Sequence, residues 1–160
     1  GDPQLKFIIV GDGHMKEELE AEAARLNLTD VVSFLGNRPD TETVYAGADI
    51  VALTSLNEGT PLSLIEGMAS ERAVISTVVG GVGDLLGEVD ERVDGFQIHE
   101  RGVGIPGNEV AEFTNGLIYL AKDEKLRLRL ARAGREFVHS NYGKDRLVSD
   151  IKSLYRNLIK

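Results

Sequence analysis

Four short apolar runs, separated by stretches with helical spacing, confine this chain to one broad class of fold. The segments "LKFIIV" (5–10), "VVSFLG" (31–36), "DIVALT" (49–54) and "AVISTV" (73–78) are strand-length and rich in β-branched residues. The first is nearly continuously apolar and runs into Gly11-Asp12-Gly13, so it is expected to be a strand buried on both faces. Between the runs, Met15, Leu19, Ala23 and Leu26 recur at helical spacing. "DTETVYAGA" (40–48) after Pro39 and a stretch from Pro61 to about Ser70 give two more helices. A β-α-β-α-β-α-β order joins parallel strands through right-handed crossovers. The expected fold is therefore α/β, a Rossmann-like doubly wound parallel sheet.

The second half is patterned differently. "GGVGDLL" (80–86) reads as a glycine-rich turn leading into one helical turn. Residues 88–101 are polar and irregular, with "DGFQIH" (94–99) as a short β excursion, and "GVGIP" (102–106) is a weak final strand. Three helices close the chain, marked by Val110, Phe113, Leu117 and Leu120, by Leu126, Leu130, Ala133 and Phe137, and by Leu147, Ile151, Leu154 and Leu158. With no repeat or linker, residues 1–160 read as a single domain.

Composition narrows the partners. The net charge of −8 excludes nucleic acid, which calls for a basic surface. Any anionic ligand must then be held by local donors against the overall field. No cysteine and only three dispersed histidines, His14, His99 and His139, leave no metal-site pattern. No apolar run reaches the ~18 residues of a membrane span and no leader precedes residue 5. The expected location is cytoplasmic, with membrane association only peripheral, at the inner face.

Ligands of open α/β sheets bind beyond the carboxyl ends of the strands, where glycine turns let backbone approach. Three such places exist: Gly11–Gly13, Glu58–Pro61 and Gly80–Gly83. The first is an incomplete dinucleotide fingerprint, because Lys16 stands where the third glycine belongs and Asn37-Arg38 follow the next strand instead of an acid. The second is more specific. Thr60 is placed to be an N-cap with Pro61 at the first helical position, leaving first-turn amides and the positive end of the helix dipole for a phosphate. Leu62, Ile65 and Ala69 are expected to pack on the sheet, with Ser63, Glu66 and Ser70 on another face. Glu58 lies in the loop ahead of the helix and Glu66 about a turn and a half inside it. A diphosphate flanked by hydroxyl-rich rings suits that arrangement. Ordinary solvated carboxylates near a helix start are the simpler alternative.

"EGTPLSLIE" matches the E-x7-E motif of the retaining family 4 glycosyltransferases, and residues 48–86 resemble that family's donor-binding segment almost throughout. "LKFIIVGDG", "VSFLGNR" and "ERGVGIPGNEV" resemble its flanking elements. The resemblance implies the C-terminal donor-binding half of a two-Rossmann-domain enzyme that makes a glycan or glycoconjugate. The donor would be a UDP-, GDP- or ADP-sugar, with no cofactor or bound metal. Glu58 would contact the donor sugar near its reacting carbon and Glu66 would hold the ribose hydroxyls. Gly11, Gly13, Gly59, Thr60, Pro61, Leu62 and Ser63 would line the phosphates or sugar, and Arg38 would lie near the base. The competing readings are a non-catalytic nucleotide-binding or assembly module, a sugar-nucleotide epimerase-like domain and a nicotinamide-dependent reductase.

The chain departs from the family pattern at several points. Gly67 replaces the usual alanine after the second glutamate, at about 1 kcal/mol of helix propensity. Glu71 stands where glycine normally ends the helix, so a positive φ there would be strained. The family's first βα unit, with the arginine and lysine that grip the donor phosphates, has no counterpart in these residues, nor has its N-terminal acceptor domain. These 160 residues by themselves are therefore expected not to transfer sugar. A radiolabelled-donor assay that detected transfer to any acceptor would contradict this.

Overall fold

The computed structural model describes residues 5–159, which fall into two compact units divided after Thr43. In the first unit, β1 (Phe7–Val10) and β2 (Val32–Gly36) pair in parallel, Phe7 opposite Val32, and α1 (Lys16–Arg25) connects them. The crossover is the expected β-α-β unit. The expected burial of β1 on both faces does not hold: Phe7, Ile8, Ile9 and Val10 are 41, 51, 41 and 39% exposed. Among the described residues β1 has a partner on one edge only, and α1 has no buried residue to lay over it. The helix α2 (Thr41–Gly47) starts in this unit and ends in the second.

The second unit contains β3 (Ile50–Leu53), α3 (Leu62–Ala69), β4 (Ala73–Thr77), α4 (Val82–Leu86), β5 (Val89–Val93), β6 (Phe96–His99) and β7 (Val103–Ile105). Helices α5 (Val110–Lys122), α6 (Glu124–Tyr142) and α7 (Lys144–Leu158) follow. Its sheet has the order β3-β4-β7-β6-β5. Strands β3, β4 and β7 run parallel, β3 and β4 joined by the α3 crossover, but β6 is antiparallel to both β7 and β5. The sheet is thus mixed, not wholly parallel. The stretch read as irregular, 88–101, is a β-hairpin closed by Asp94-Gly95, with Val93 paired to Phe96. An Asp-Gly pair between β-branched and aromatic residues is a strong hairpin signal. The charged Asp90, Glu91 and Arg92 obscured it.

Strand β4 is the centre of this unit, with every residue buried. Its alternate side chains feed two cores, as period-two geometry dictates. Ala73 and Ile75 join Phe96, Ile98, Val103, Ile105, Leu120 and Leu130. Val74 joins Leu64, Met68, Val82, Leu85, Leu86 and Val138 on the other face. The helix α6 serves both, Leu130 in one core and Val138 in the other. Burying one such leucine or valine contributes about 1.5–3 kcal/mol.

The inward face of α3 is not the one expected from Leu62, Ile65 and Ala69. Leu64, Gly67 and Met68 are buried instead, and Leu62 is 70% exposed. Ile65 and Ala69 only flank the core. Gly67 is what permits the tilt, since a Cβ there would stand 2.9 Å from Val51 Cγ2. Its lost helix propensity is the cost of bringing α3 close to β3. In the same way, three of the four apolar positions of α5 pack inward while Val110 is 80% exposed. The stripe of α7 faces outward entirely, with Leu147, Ile151, Leu154 and Leu158 between 44 and 71% exposed.

Two helices end on a left-handed residue that is not glycine. At the end of α1, Asn27 has φ 57°, the Asn27 amide donates to Ala24 O and Leu28 donates to Ala23 O. At the end of α3, Glu71 has φ 57°, its amide donates to Met68 O and the Arg72 amide to Gly67 O. Both are paired-bond C-caps of the kind glycine usually occupies. Asparagine tolerates that conformation, whereas glutamate pays about 1–2 kcal/mol. Glu71 recovers part of this through Arg135, whose Nη1 lies 2.5 Å from its carboxylate, with Arg132 at 4.0 Å. These groups are half-exposed, so the pair contributes well under the backbone cost. Glu71→Ala, which keeps the strain and loses the pair, is expected to lower the unfolding free energy by about 0.5–1 kcal/mol. Glu71→Gly is expected to match or exceed the unaltered protein. Urea denaturation of the two variants checks the order.

Candidate functional site

Within the first unit, Gly11 has φ 129° and donates to Gly36 O at 2.8 Å, which bends the chain away from β1. Neither Gly11 nor Gly13 has another atom within 4 Å of where a Cβ would stand, so that turn is open. Arg38 is not a free cation. Its Nε and Nη2 bind the two oxygens of Asp40 at 2.8 and 2.5 Å. The hydrogen bond from Arg38 holds the Asp40 carboxyl below its usual range. Any base contact by Arg38 is therefore left to its remaining N–H groups, a restriction that Asp40, two residues on, could have signalled.

In the second unit, the loop from β3 to α3 carries Glu58, Gly59 and Thr60, and two interactions set its shape. Thr77 Oγ1, at the end of β4, donates to Ser55 O at 2.5 Å, and Gly81 donates to Gly59 O at 2.8 Å. The turn after β4 lies directly against the loop. Gly80 has φ 52°, and a Cβ on it would collide with the carbonyl oxygen of Glu58. Only glycine accommodates both the dihedral and the approach. The two glycine-marked places, 58–61 and 80–83, are thus one structure, which spacing alone did not show.

The helix start also differs from expectation by one residue. Pro61 is the N-cap, in extended conformation at φ −72° and ψ 117°, and Leu62 is the first helical residue. Thr60 does not cap the helix, and no side chain does. The Pro61 carbonyl accepts the first intrahelical bond, from Ile65 at 3.3 Å. Because Pro61 is buried and has no N–H, and α3 has no acidic residue in its first turn, the amides of Leu62 and Ser63 meet no competing anion from the helix itself. Those amides and the helix dipole make this end of α3 electropositive.

Each glutamate is held by one hydroxyl. Ser55 Oγ donates to Glu58 Oε1 at 2.6 Å. Tyr45 Oη donates to Glu66 Oε2 at 3.0 Å. Burial, then the hydrogen bond and charge of Glu66, push the Tyr45 phenol up to about 12, so it stays protonated at neutral pH. Neither Ser55 nor Tyr45 emerged from the sequence, although Ser55 precedes Glu58 by only three residues. Among the described residues, no group of three or more His, Asp or Glu is arranged to hold a metal ion.

The family described as Glycosyl transferases group 1 matches residues 1–137. The chain belongs to the group 1 glycosyltransferases. It is 26% identical over 155 residues to the N-acetyl-alpha-D-glucosaminyl L-malate synthase of Bacillus anthracis, covering 97% of this chain and 38% of that protein. The segment therefore spans about two-fifths of the length of such relatives. Among solved structures, the C-terminal domain of the group 1 glycosyltransferase LpcC from Francisella tularensis is 29% identical. That match covers 81% of this chain and 63% of the other, with a TM-score of 0.64. Anabaena HepE in complex with UDP superimposes with a TM-score of 0.75 at 24% identity, over 94% of this chain and 42% of its own. This group 1 glycosyltransferase thus shares their α/β fold.

The contact between Gly80 and Glu58 makes a sharp prediction for the loop. Gly80→Ala is expected to lower stability by more than about 2 kcal/mol, from backbone collision and a strained φ together. Gly59→Ala meets no atom within 4 Å and should cost less than about 1 kcal/mol. Thermal melts of the two variants side by side check it.

Proposed function

We propose that the second unit binds the nucleotide-diphosphate sugar donor of a retaining glycosyltransferase that builds a glycan or glycoconjugate. The observation that carries this reading is the uncapped start of α3 with Glu58 before it and Glu66 within it, each carboxylate oriented by its own hydroxyl donor. In a chain of net charge −8, a diphosphate needs concentrated local donors, and first-turn amides supply them. The carboxylates then accept hydrogen bonds from the hydroxyl groups on either side of the diphosphate. Glu66 takes the ribose and Glu58 the sugar near its reacting carbon, while Gly59, Thr60, Leu62 and Ser63 face the phosphates or sugar. The solved UDP complex of the HepE protein, of the same fold, supports a donor of this class.

In this reading an acceptor oxygen bonds to the anomeric carbon as the bond from that carbon to the phosphate oxygen breaks, and the nucleotide diphosphate leaves with the acceptor's proton. Amides fixed in advance toward the departing phosphate stabilise its growing charge without reorganising. Glu58, locked by Ser55, aligns the sugar. No metal or cofactor takes part. The acceptor is bound by an N-terminal domain of the same enzyme, since the segment covers only about two-fifths of its relatives. The enzyme works in the cytoplasm, with any membrane association peripheral and at the inner face. The described residues contain no helix long and apolar enough to cross a membrane.

Calorimetric titration of the full-length protein with UDP, GDP, ADP and NADH tests the reading. At least one nucleoside diphosphate is expected to bind and NADH is not. Glu66→Ala is expected to weaken the bound diphosphate about tenfold or more, the loss of a hydrogen bond to a charged group. If every diphosphate fails to bind the folded protein, the reading is wrong.

A further inference from the structure

We propose that Tyr45 is a positioning residue for Glu66: it takes Oε2 so that Oε1 is presented to the ribose, and it thereby sets the preference for a ribonucleotide over its 2′-deoxy counterpart. The inference rests on the donor-binding reading of Glu66 and adds to it a residue 21 positions away in sequence, on a different helix.

The geometry is asymmetric in a useful way. Glu66 is exposed on α3, and a glutamate there rotates freely about three bonds unless something holds it. Tyr45 is half-buried near the end of α2, so its ring is anchored and its hydroxyl is the part that reaches Glu66. A phenol carries one proton, and that proton is committed to Oε2. Among the described residues Oε1 meets no protein donor. A vicinal diol arriving at the site therefore finds one carboxylate oxygen already oriented and unpaired. Because the phenol titrates only near 12, the donor function is constant across the physiological range. Loss of the hydroxyl leaves the ring and its packing in place but frees the carboxylate. The penalty should then fall more heavily on the ligand that offers Glu66 both hydroxyls than on the one that keeps only the 3′-hydroxyl.

The experiment measures UDP and 2′-deoxy-UDP affinities (or those of whichever diphosphate binds) for the unaltered full-length protein, Tyr45→Phe, Glu66→Ala and the double variant. Tyr45→Phe is expected to reduce the ribo-to-deoxy preference about fivefold, within the coupling seen for residues in contact, with a smaller loss of affinity for the deoxy ligand than for the ribo ligand. In the Glu66→Ala background the same change should have no further effect on the preference. In the ligand-free protein, the tyrosinate absorbance lost in Tyr45→Phe should titrate lower in Glu66→Gln, though burial keeps it above the free-phenol value of about 10. Equal losses for both nucleotides, or an unchanged preference, would make Tyr45 a packing residue and overturn the inference alone. Failure of the unaltered protein to bind any diphosphate would remove the donor reading and this inference together. An unmoved phenol titration would overturn the inference without touching the donor reading.

Discussion

The Glu58 carbonyl lies where a side chain at position 80 would have to be, and much of the second unit follows from that contact. For the two loops to touch, β3 and β4 must lie side by side, and their parallel ladder pairs Ile50 with Ala73 through Leu53 with Ser76. The turns after both strands then emerge at the same end of the sheet, where Gly81 donates to Gly59 and Thr77 to Ser55. Strand β4 has no exposed residue and is fixed by β7 on its other edge, so it is the rigid member of the pair. The loop that carries Glu58 is in effect mounted on a fully buried strand. Positioned carboxylates and amides act well only when their support does not move.

Helix α3 is supported from behind by equally close packing. Gly67 lets it approach Val51 on the sheet, and Gly134 lets α6 approach Met68, where a Cβ would come within 3.0 Å of Met68 Cγ. Arg135 of α6 reaches the strained Glu71 at the end of α3. Two missing side chains and one ion pair thus hold the helix that presents the first-turn amides. The strained dihedral lies about one turn beyond Glu66, away from the electropositive end, so it adjusts how the helix stops and leaves its start untouched.

Electrostatics explain why so small a number of groups matters. An acidic chain repels a diphosphate at long range, and half-exposed arginines such as Arg38 and Arg135 are already paired with acids. Backbone dipoles at one helix end, which carry no counter-ion to displace, are a local source of attraction for an anion. Placing carboxylates beside such a site is unfavourable for the phosphate itself. It is favourable only for a ligand that pairs each carboxylate with hydroxyls, which is why the two glutamates are informative together.

The sequence by itself determined the repeating strand and helix elements, the helix that begins next to Pro61 and the membership of Glu58 and Glu66 in one segment, because apolar period and turn chemistry are local properties. It also flagged Glu71 as a left-handed position, since a helix C-cap is read within a few residues. Family membership was legible for the same reason: residues 48–86 are contiguous. Tertiary structure alone decided what depends on distant neighbours. Which face of α3 is buried turned on Val51 and Met68, not on the spacing of Leu62, Ile65 and Ala69. The exposure of β1 and of the α7 stripe depended on whether a partner lies against them. The hairpin at 89–99 is set locally by its Asp94-Gly95 turn, but that it joins the sheet through β7, which lies beside β4, depends on residues far apart in sequence. The hydroxyls that orient the two glutamates come from Ser55, close in sequence, and from Tyr45, which only folding brings to Glu66.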